Sequence, residues 1–415
     1  MLKNTKKNCS GKLHYAWIIL LGCCILQGGT LGAITNIAGI FYVPVCTELN
    51  FAVGELSLYR TIMGLVSLAT LPAVSKLLNK YDSRIVLSLA AVVFIVPTIA
   101  MSRFTSLVQW YIAGAIQGFS SNFICIVAGP LILTNWFRKK TGLVIGISTA
   151  AAGLSGATFN YLVSAIIETS GWRMGYLISG AVALVVVLIA SVFIIRFRPE
   201  EMGLQPFGEE DAEVKRAAPQ QIAQWPEAQR KRRLLMMLAA AVCAGVVGAF
   251  SSFFNPFGIS VGLSVSAAAV LASVSMIGNT AGKLILGEMN DRIGTRWSCL
   301  AGFTVALVGA VLMITTKAPV LYFSALIFGV SMPVYSTLLP LMTRAALGGS
   351  DFSANYAKVT MASSMTASVM LTAHGTLFDL TGSYTCSMIL CALTMALGSI
   401  LTLQLFWKEP SGQIV

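Results

Sequence analysis

The first side chain in this sequence that could do chemistry is a lysine. Lys283 sits in the run LASVSMIGNTAGKLILGEM, among apolar and small residues, with Asn279 four positions before it. Four residues is about one helical turn, so the ammonium and the amide share a face. A charge at mid-depth in a membrane helix costs at least about 2.5–3.5 kcal/mol, and such charges mark substrate or ion pathways. A lysine with no acidic partner on its own face is suited to an anion. The competing role is snorkelling, with the stem in hydrocarbon and the ammonium at the interface.

Two other ionisable groups invite a role. Arg60 stands near one end of the second apolar run, where it attracts anions to a mouth or pairs with Glu55 or a lipid phosphate. His374 is the only histidine deep in an apolar run and is a candidate for proton coupling, against the plainer role of a hydrogen-bonded packing residue. Glu168 falls at a run's end and is expected to be solvated. The remaining polar groups of the first, fourth, seventh and tenth runs are neutral: Gln27, Thr35 and Asn36; Gln117, Ser120, Ser121 and Asn122; Ser251, Ser252 and Asn255; Tyr335, Ser336 and Thr337. Asn36, Asn122 and Tyr335 are the preferred pocket residues, although such side chains also join helices to one another. There is no P-loop, no HExxH and no Ser/His/Asp set, and the nine cysteines show no CxxC or metal spacing. An enzyme, a cofactor and a metal are therefore not expected.

The elements that hold these residues follow from composition. The chain has 415 residues, of which 56% are hydrophobic and 11% charged. Soluble domains carry about 25% charged residues. Mean hydropathy is +0.79. These values exclude a water-soluble enzyme, a nucleic-acid binder and a disordered chain. Twelve apolar runs are long enough to span a bilayer: 15–43, 55–78, 85–101, 107–134, 142–167, 173–195, 234–258, 264–286, 297–315, 319–342, 353–376 and 384–406. They are too long for barrel strands, so the fold class is an all-α membrane bundle of twelve transmembrane helices. The first run follows Lys3, Lys6, Lys7 and Lys12 but is too long for a signal peptide. Pro72, Pro97, Pro130, Pro256, Pro333 and Pro340 interrupt runs as hinges or packing bends.

Charge orients the bundle. With the N-terminus inside, only Arg60, Arg103, Arg173 and Lys317 of the 28 Lys and Arg fall outside, and Lys283 falls within a span. The positive-inside rule then puts both termini in the cytoplasm of a multi-pass protein of the cytoplasmic membrane. The net charge of +12 is thus topological. The cluster Arg230 to Arg233 abuts the seventh run and is read as an anchor on anionic lipid, not as a nucleic-acid patch.

The longest polar stretch divides the chain into a six-helix half, 1–195, a linker, 196–233, and a second six-helix half, 234–415. SKLLNKYDSR at 75–84 aligns without a gap on GEMNDRIGTR at 287–296, which sets Ser75 on Gly287, Asn79 on Asp291 and Arg84 on Arg296. The two strings occupy the same place in the two halves. Parallel repeats about an axis along the membrane normal are a transporter architecture.

Gly287, Asp291, Arg292, Gly294 and Arg296 together read G-x-x-x-D-R-x-G-x-R, which resembles the cytoplasmic loop signature of the major facilitator superfamily. NWFRKKTGLVIGISTAAAGLSG at 135–156, GWR at 171–173, RPEEMGLQPFG at 198–208 and FDLTGSY at 378–384 are similar to segments of its monocarboxylate and oxalate/formate carrier branch, in its bacterial form. The resemblance covers essentially the whole chain. It implies the major facilitator fold, with two pseudo-symmetric bundles and a cavity lined by helices 1, 4, 7 and 10. It implies that Asp291 docks on a helix N-terminus or an Arg and favours one gate state, with Asn79 in the first half a weaker latch. It also implies that Lys283 occupies the branch's anion-binding position, usually Arg. Lysine keeps the cation but loses bidentate geometry. Asn279 stands where the mammalian-type members carry an Asp. The second cation of the oxalate carriers, midway along helix 11, has no counterpart between Thr360 and Ala373. A monoanion therefore fits better than a dianion.

The expected function is secondary transport of a small organic monocarboxylate by alternating access, in a monomer surrounded by lipid. Substrate contacts are expected at Lys283, Asn279, Asn36, Asn122, Tyr335 and Arg60. The alternatives are a carrier of a neutral or amphipathic compound, for which Lys283 is dispensable, and a sensor that binds without translocating.

Overall fold

Hydrocarbon offers the backbone no hydrogen-bond partner, so each apolar run must satisfy its own N–H and C=O groups as a helix. The computed structural model describes residues 14–126, 128–137, 141–208, 227–315, 318–347 and 352–406. Nine helical runs among them are apolar and long enough to cross a membrane. One of the nine, Leu143–Ile194, is a folded pair. Two further helices, Val53–Lys80 and Phe352–Thr381, are 28 and 30 residues long.

We number twelve helices. In the first half α1 is Tyr15–Leu49, α2 Val53–Lys80, α3 Ser83–Met101 and α4 Leu107–Trp136. Helices α5 and α6 form one run, Thr141–Ile189, folded at Gly171, whose φ of 80° only glycine adopts without strain. In the second half α7 is Gln229–Ser260, α8 Val265–Ile293, α9 Thr295–Met313, α10 Pro319–Leu347, α11 Phe352–Thr381 and α12 Thr385–Leu405. Most helix ends fall close to the expected bounds, but α1, α7, α8, α10 and α11 run five to seven residues further, because helices extend past the hydrocarbon. Residues 209–226 of the expected linker lie outside the described residues.

The signature Gly287 to Arg296 is not the loop that the sequence implies. Gly287, Asp291 and Arg292 belong to α8, and the break is a single residue, Gly294, with φ 87°. Likewise α2 continues to Lys80, and Asp82 caps α3 by accepting from the Arg84 N–H at 2.9 Å. Short turns force α8 and α9 to be antiparallel neighbours.

The repeat extends well beyond that signature. A π-helical turn, Asn122–Ile126, interrupts α4, and another, Val334–Leu338, interrupts α10. The offset that sets Asn79 on Asp291 also sets Asn122 on Val334, so the two π turns occupy equivalent positions. Wider π turns cost hydrogen-bond geometry and are found where function or packing needs them.

Two of the family-like strings are one structural unit. The start of the linker folds back under the first half at the face that carries the termini. Trp136 Nε1–H donates to Arg196 O at 2.8 Å, and Phe207 N–H donates to Trp136 O at 2.8 Å. The Phe207 ring then packs against His14, Trp17 and Phe137. At the opposite face the GWR string binds one carboxylate. Trp172 Nε1–H donates to Glu48 Oε2 at 2.6 Å, and Arg173 pairs with Glu48 Oε1 at 2.9 Å.

The buried side chains form two clusters. One, including Leu20, Phe94, Ile132 and Trp136, stays within the first half towards the face of the termini. The other fills the second half and crosses, at the opposite face, to Phe41, Tyr42, Tyr59 and Trp110. The two halves are therefore joined through apolar packing at the face away from the termini.

Candidate functional site

The seam between the halves is built from two helix pairs, α5 with α8 and α2 with α11. Small residues let α5 and α8 approach closely. A Cβ on Gly153 would lie 2.4 Å from Thr280 Oγ1, and one on Gly156 would lie 2.9 Å from Met276 Sδ and 3.1 Å from Asn36 Nδ2. With no side chain between them, the polar groups of α8 reach the backbone of α5 directly.

Those contacts descend in order from the face opposite the termini. Glu168 Oε1 accepts from the Ser266 N–H at 2.8 Å, and Oε2 from the Ser266 hydroxyl. Ser273 Oγ donates to Ala157 O at 2.8 Å. At mid-depth Asn160 Nδ2 donates to Gly156 O at 3.0 Å and reaches Met276 Sδ at 3.3 Å. Asn160 Oδ1 accepts from Asn255 Nδ2 of α7 at 3.1 Å, which ties the halves together. Deepest is Lys283, half-buried, whose Nζ donates to Thr149 O of α5 at 3.4 Å. Among the described residues no carboxylate pairs with it.

Two buried acceptors of the seam lack partners. Asn279 Oδ1, one turn from Lys283, and Asn255 Oδ1 make no hydrogen bond. Asn36 Nδ2 donates to Ala152 O at 3.3 Å and lies against the Gly156 crossing. The seam thus offers one ammonium and neutral amides to anything that enters between the halves. An unsatisfied buried acceptor costs about 1–3 kcal/mol, which a ligand or water recovers.

The α2–α11 pair repeats the α5–α8 pattern. The Val53 and Gly54 N–H groups donate to Asp379 Oδ1 and Oδ2 at 3.0 and 2.6 Å. A Cβ on Gly375 would lie 2.8 Å from Gly54 Cα, so the helices cross there. Deeper, Thr61 Oγ1 meets Thr372 Oγ1 at 2.8 Å and donates to Ser368 O. The repeat offset sets Gly54 on Ser266, so the two carboxylates cap equivalent helix N-termini. Both caps are closed in this structure. Glu168 is exposed, as its place at a run's end implied, and it also binds Ser266 across the seam.

Of the expected substrate residues, the structure brings Lys283, Asn279 and Asn36 to the seam. It puts three elsewhere. Asn122 donates to Ser67 O and, at 3.2 Å, to Thr70 Oγ1, joining α4 to α2 inside the first half. Its amide NH₂ is taken up by packing, so it is not free for a central ligand. Tyr335 lines a small cavity of the second half against Gly248 of α7. Arg60 lines a cavity enclosed by the first half.

His374 is fully buried between Phe250 and Phe253, with Nε2 3.2 Å from Val246 O and Nδ1 unpartnered. These contacts are the packing role. In the string Gly287 to Arg296, Arg292 pairs with Glu288 at 2.6 Å, and Arg296 lies 5.2 Å over the Trp297 ring. The Asp291 and Asn79 side chains lie outside the described residues, as do Arg138, Lys139 and Lys140. Gly287 meets nothing within 4 Å of a built Cβ.

Asn160, Thr149 and Met276 are seam residues that sequence reasoning did not single out. The available signal was spacing: Gly153, Gly156 and Asn160 fall on one face of α5, as Ser273, Met276, Thr280 and Lys283 do on α8.

Comparison with known proteins agrees with this architecture. The family model for the Major Facilitator Superfamily matches residues 23–278 and 254–414. Monocarboxylate transporter 12 of Rattus norvegicus is 25% identical over 413 residues, covering 93% of this chain and 84% of the relative. The probable transporter MCH2 of Saccharomyces cerevisiae is 24% identical, covering 80% of this chain and 69% of the relative. Among solved structures, a bacterial homologue of the human lysosomal transporter Spinster, inward-facing and unoccupied, superposes with a TM-score of 0.71 at 15% identity, covering 96% of this chain and 98% of that one. The nucleoside transporter NupG gives a TM-score of 0.73 at 12% identity, covering 95% and 100%.

Proposed function

The chain belongs to the Major Facilitator Superfamily, and on that premise we propose that it carries a small organic monocarboxylate across the membrane by alternating access. One observation carries the substrate class. Lys283 holds an ammonium at the seam between the halves, bonded among the described residues only to the neutral carbonyl of Thr149, with the unpartnered Asn279 Oδ1 one turn away. One cation balances one carboxylate. The names of the relatives support the same class.

The carboxylate docks on Lys283 from the face of the termini, since the halves are sealed at the other face. Asn279, Asn36 and the Asn160–Asn255 pair lie beyond Lys283, towards the sealed face, as neutral hydrogen-bonding groups for the rest of the substrate. Rocking of the halves then breaks the Asp379 and Glu168 caps and exposes the site on the other side. The positive-inside distribution puts the face of the termini in the cytoplasm. No proton carrier is assigned, because His374 is packed among aromatic rings away from the seam.

Purified protein in liposomes, assayed by counterflow of labelled acids from formate to larger monocarboxylates, tests the reading. Lys283→Ala is expected to abolish saturable uptake while leaving the folded yield and Tm close to wild type. Unchanged affinity and uptake in Lys283→Ala would overturn the assignment and favour a neutral substrate.

A further inference from the structure

Helices α1 and α7 cross on the side opposite the termini. A Cβ on Gly39 would collide with Ser252 O, so backbone meets backbone there. Both helices tighten into a 3₁₀ turn at the crossing, Ala38–Phe41 in α1 and Ser251–Phe253 in α7. The next residue of α1 is Tyr42, and its ring centroid lies 5.6 Å from that of Phe253. Phe253 packs in turn against Tyr384, at the start of α12, at 5.8 Å and against His374 of α11 at 5.9 Å. The Tyr384 ring stacks on Phe378 at 4.5 Å. Tyr42 is thus a ring of the first half seated in an aromatic socket of the second.

The socket is sealed, yet three of its atoms are polar. Tyr42, Phe253 and His374 are 0% exposed and Tyr384 1%. Tyr42 Oη, Tyr384 Oη and His374 Nδ1 make no hydrogen bond. Tyr59, Arg60 and Cys46 stand beside Tyr42, and Asp379 stands beside Tyr384, but none of them bonds either hydroxyl. Asp379 holds the Val53 and Gly54 N–H groups instead, and His374 uses its other ring nitrogen on Val246 O. A buried phenol without a partner loses the hydrogen bonds that water gave it, and ring packing does not restore them. Phenylalanine would fill the same socket without that loss. The second half does so at the equivalent place, since the repeat offset sets Tyr42 on Phe254, which is fully buried.

We propose that Tyr42 is the plug of the seal at this face, and that its hydroxyl, with that of Tyr384, biases the seal towards opening. Two opposed terms then act on one side chain. Burial of the ring favours the closed face. The hydroxyl regains water only when the halves part, so it favours the open one. The two conformers are thereby kept close enough in free energy to exchange. The carboxylate caps of Asp379 and Glu168 act on the closed side of the same balance. The proposal rests on the alternating access of the reading above, and not on Lys283 or on any substrate.

Spin labels on Arg103→Cys and Thr315→Cys, both exposed just past the ends of α3 and α9, report opening by double electron–electron resonance, with the native cysteines replaced. The parent is the full-length protein carrying Asp379→Asn and Glu168→Gln, chosen to populate open conformers. Tyr42→Phe is expected to lower the ratio of open to closed conformers about tenfold, through the loss of one buried unpaired hydroxyl, and to raise Tm. Tyr384→Phe is expected to act in the same direction. Tyr42→Ala removes the ring as well and is expected to raise the ratio. Tyr111→Phe is the control: its hydroxyl already donates to Glu55 O at 3.0 Å within the first half, so the ratio should stay constant and Tm should not rise. A ratio that rises or stays constant in Tyr42→Phe, or that fails to rise in folded Tyr42→Ala, would overturn the proposal. Should the parent show a single distance, Tm decides: a rise in Tyr42→Phe and not in Tyr111→Phe supports the proposal, and no rise refutes it. Unchanged uptake in Lys283→Ala would overturn the substrate reading and leave this one standing, because neither readout involves a substrate.

Discussion

At the face opposite the termini, two carboxylates hold the halves shut, and their removal has a calculable effect. Asp379 of α11 accepts from two N–H groups at the α2 N-terminus, and Glu168 of α5 accepts from the N–H and hydroxyl of Ser266 at the α8 N-terminus. Each bond crosses the seam, so each exists only while that face is closed. A negative charge at a helix N-terminus contributes about 0.3–1 kcal/mol, and a side-chain cap about 1 kcal/mol. Replacing carboxylate by amide removes the charge and one of two acceptors but keeps the shape. We estimate a loss of about 1 kcal/mol for each of Asp379→Asn and Glu168→Gln from these terms. The caps lie on different helix pairs, so their effects add to about 2 kcal/mol. That corresponds to roughly a 30-fold shift in the ratio of closed to open conformers at about 1.36 kcal/mol per decade. Spin labels on Cys386, which is exposed, and on Arg103→Cys report the distance across this face by double electron–electron resonance, with the other cysteines replaced. The double variant is expected to gain a long-distance population that wild type lacks. Glu55→Gln is the control, because Glu55 caps only its own helix, through the Ala52 N–H. A wild-type distance distribution in the double variant, or an equal shift in the control, would refute the reasoning.

Three further outcomes follow from the packing. Gly54→Ala should open the same face, because its Cβ would lie 2.8 Å from Thr376 N, whereas Gly287→Ala, with nothing within 4 Å, should leave the distance distribution unchanged. Asn122→Ala should lower Tm without altering substrate affinity, since it removes two bonds to α2 worth about 0.6 kcal/mol each in membranes; a loss of affinity at constant Tm would return Asn122 to the substrate site. Trp172→Phe should cost about 1 kcal/mol in unfolding, less than a fully buried bond to a charge, because the Glu48 side chain is 51% exposed; an unchanged unfolding midpoint would show that the GWR clamp contributes nothing.

Most of the fold was legible because hydrocarbon makes a simple demand. A run of apolar residues either closes its own hydrogen bonds or does not cross, so helix number and order follow from run length. Helix ends were less legible. The sequence around Gly287 to Arg296 is polar and reads as a loop, yet α8 continues through it until Gly294. Polarity marks where a helix leaves the hydrocarbon, not where its backbone stops being helical. The π turns at Asn122–Ile126 and Val334–Leu338 carry no composition of their own and became apparent only in the structure.

The site was legible in proportion to the cost of its groups. Lys283 stood out because a charge in a span needs a reason, and the structure puts it at the seam. Asn160 did not stand out, since a neutral amide in a helix is ordinary glue until its partner across the seam, Asn255, is known. Arg60 and Asn122 lie away from the seam for a related cause. The sequence places a residue along a helix but does not say which neighbouring helix its side chain will meet, and both turn into the first half. The carboxylate caps were hidden for a different reason: their partners are backbone N–H groups, which no residue letter records. Yet the repeat offset already carried the relation. Applied along the whole chain, it maps Gly54 onto Ser266, and it sets Asp379 on Ile167, next to Glu168. A repeat read across the entire sequence, and not at one signature, therefore locates paired contacts between the halves that neither half reveals alone.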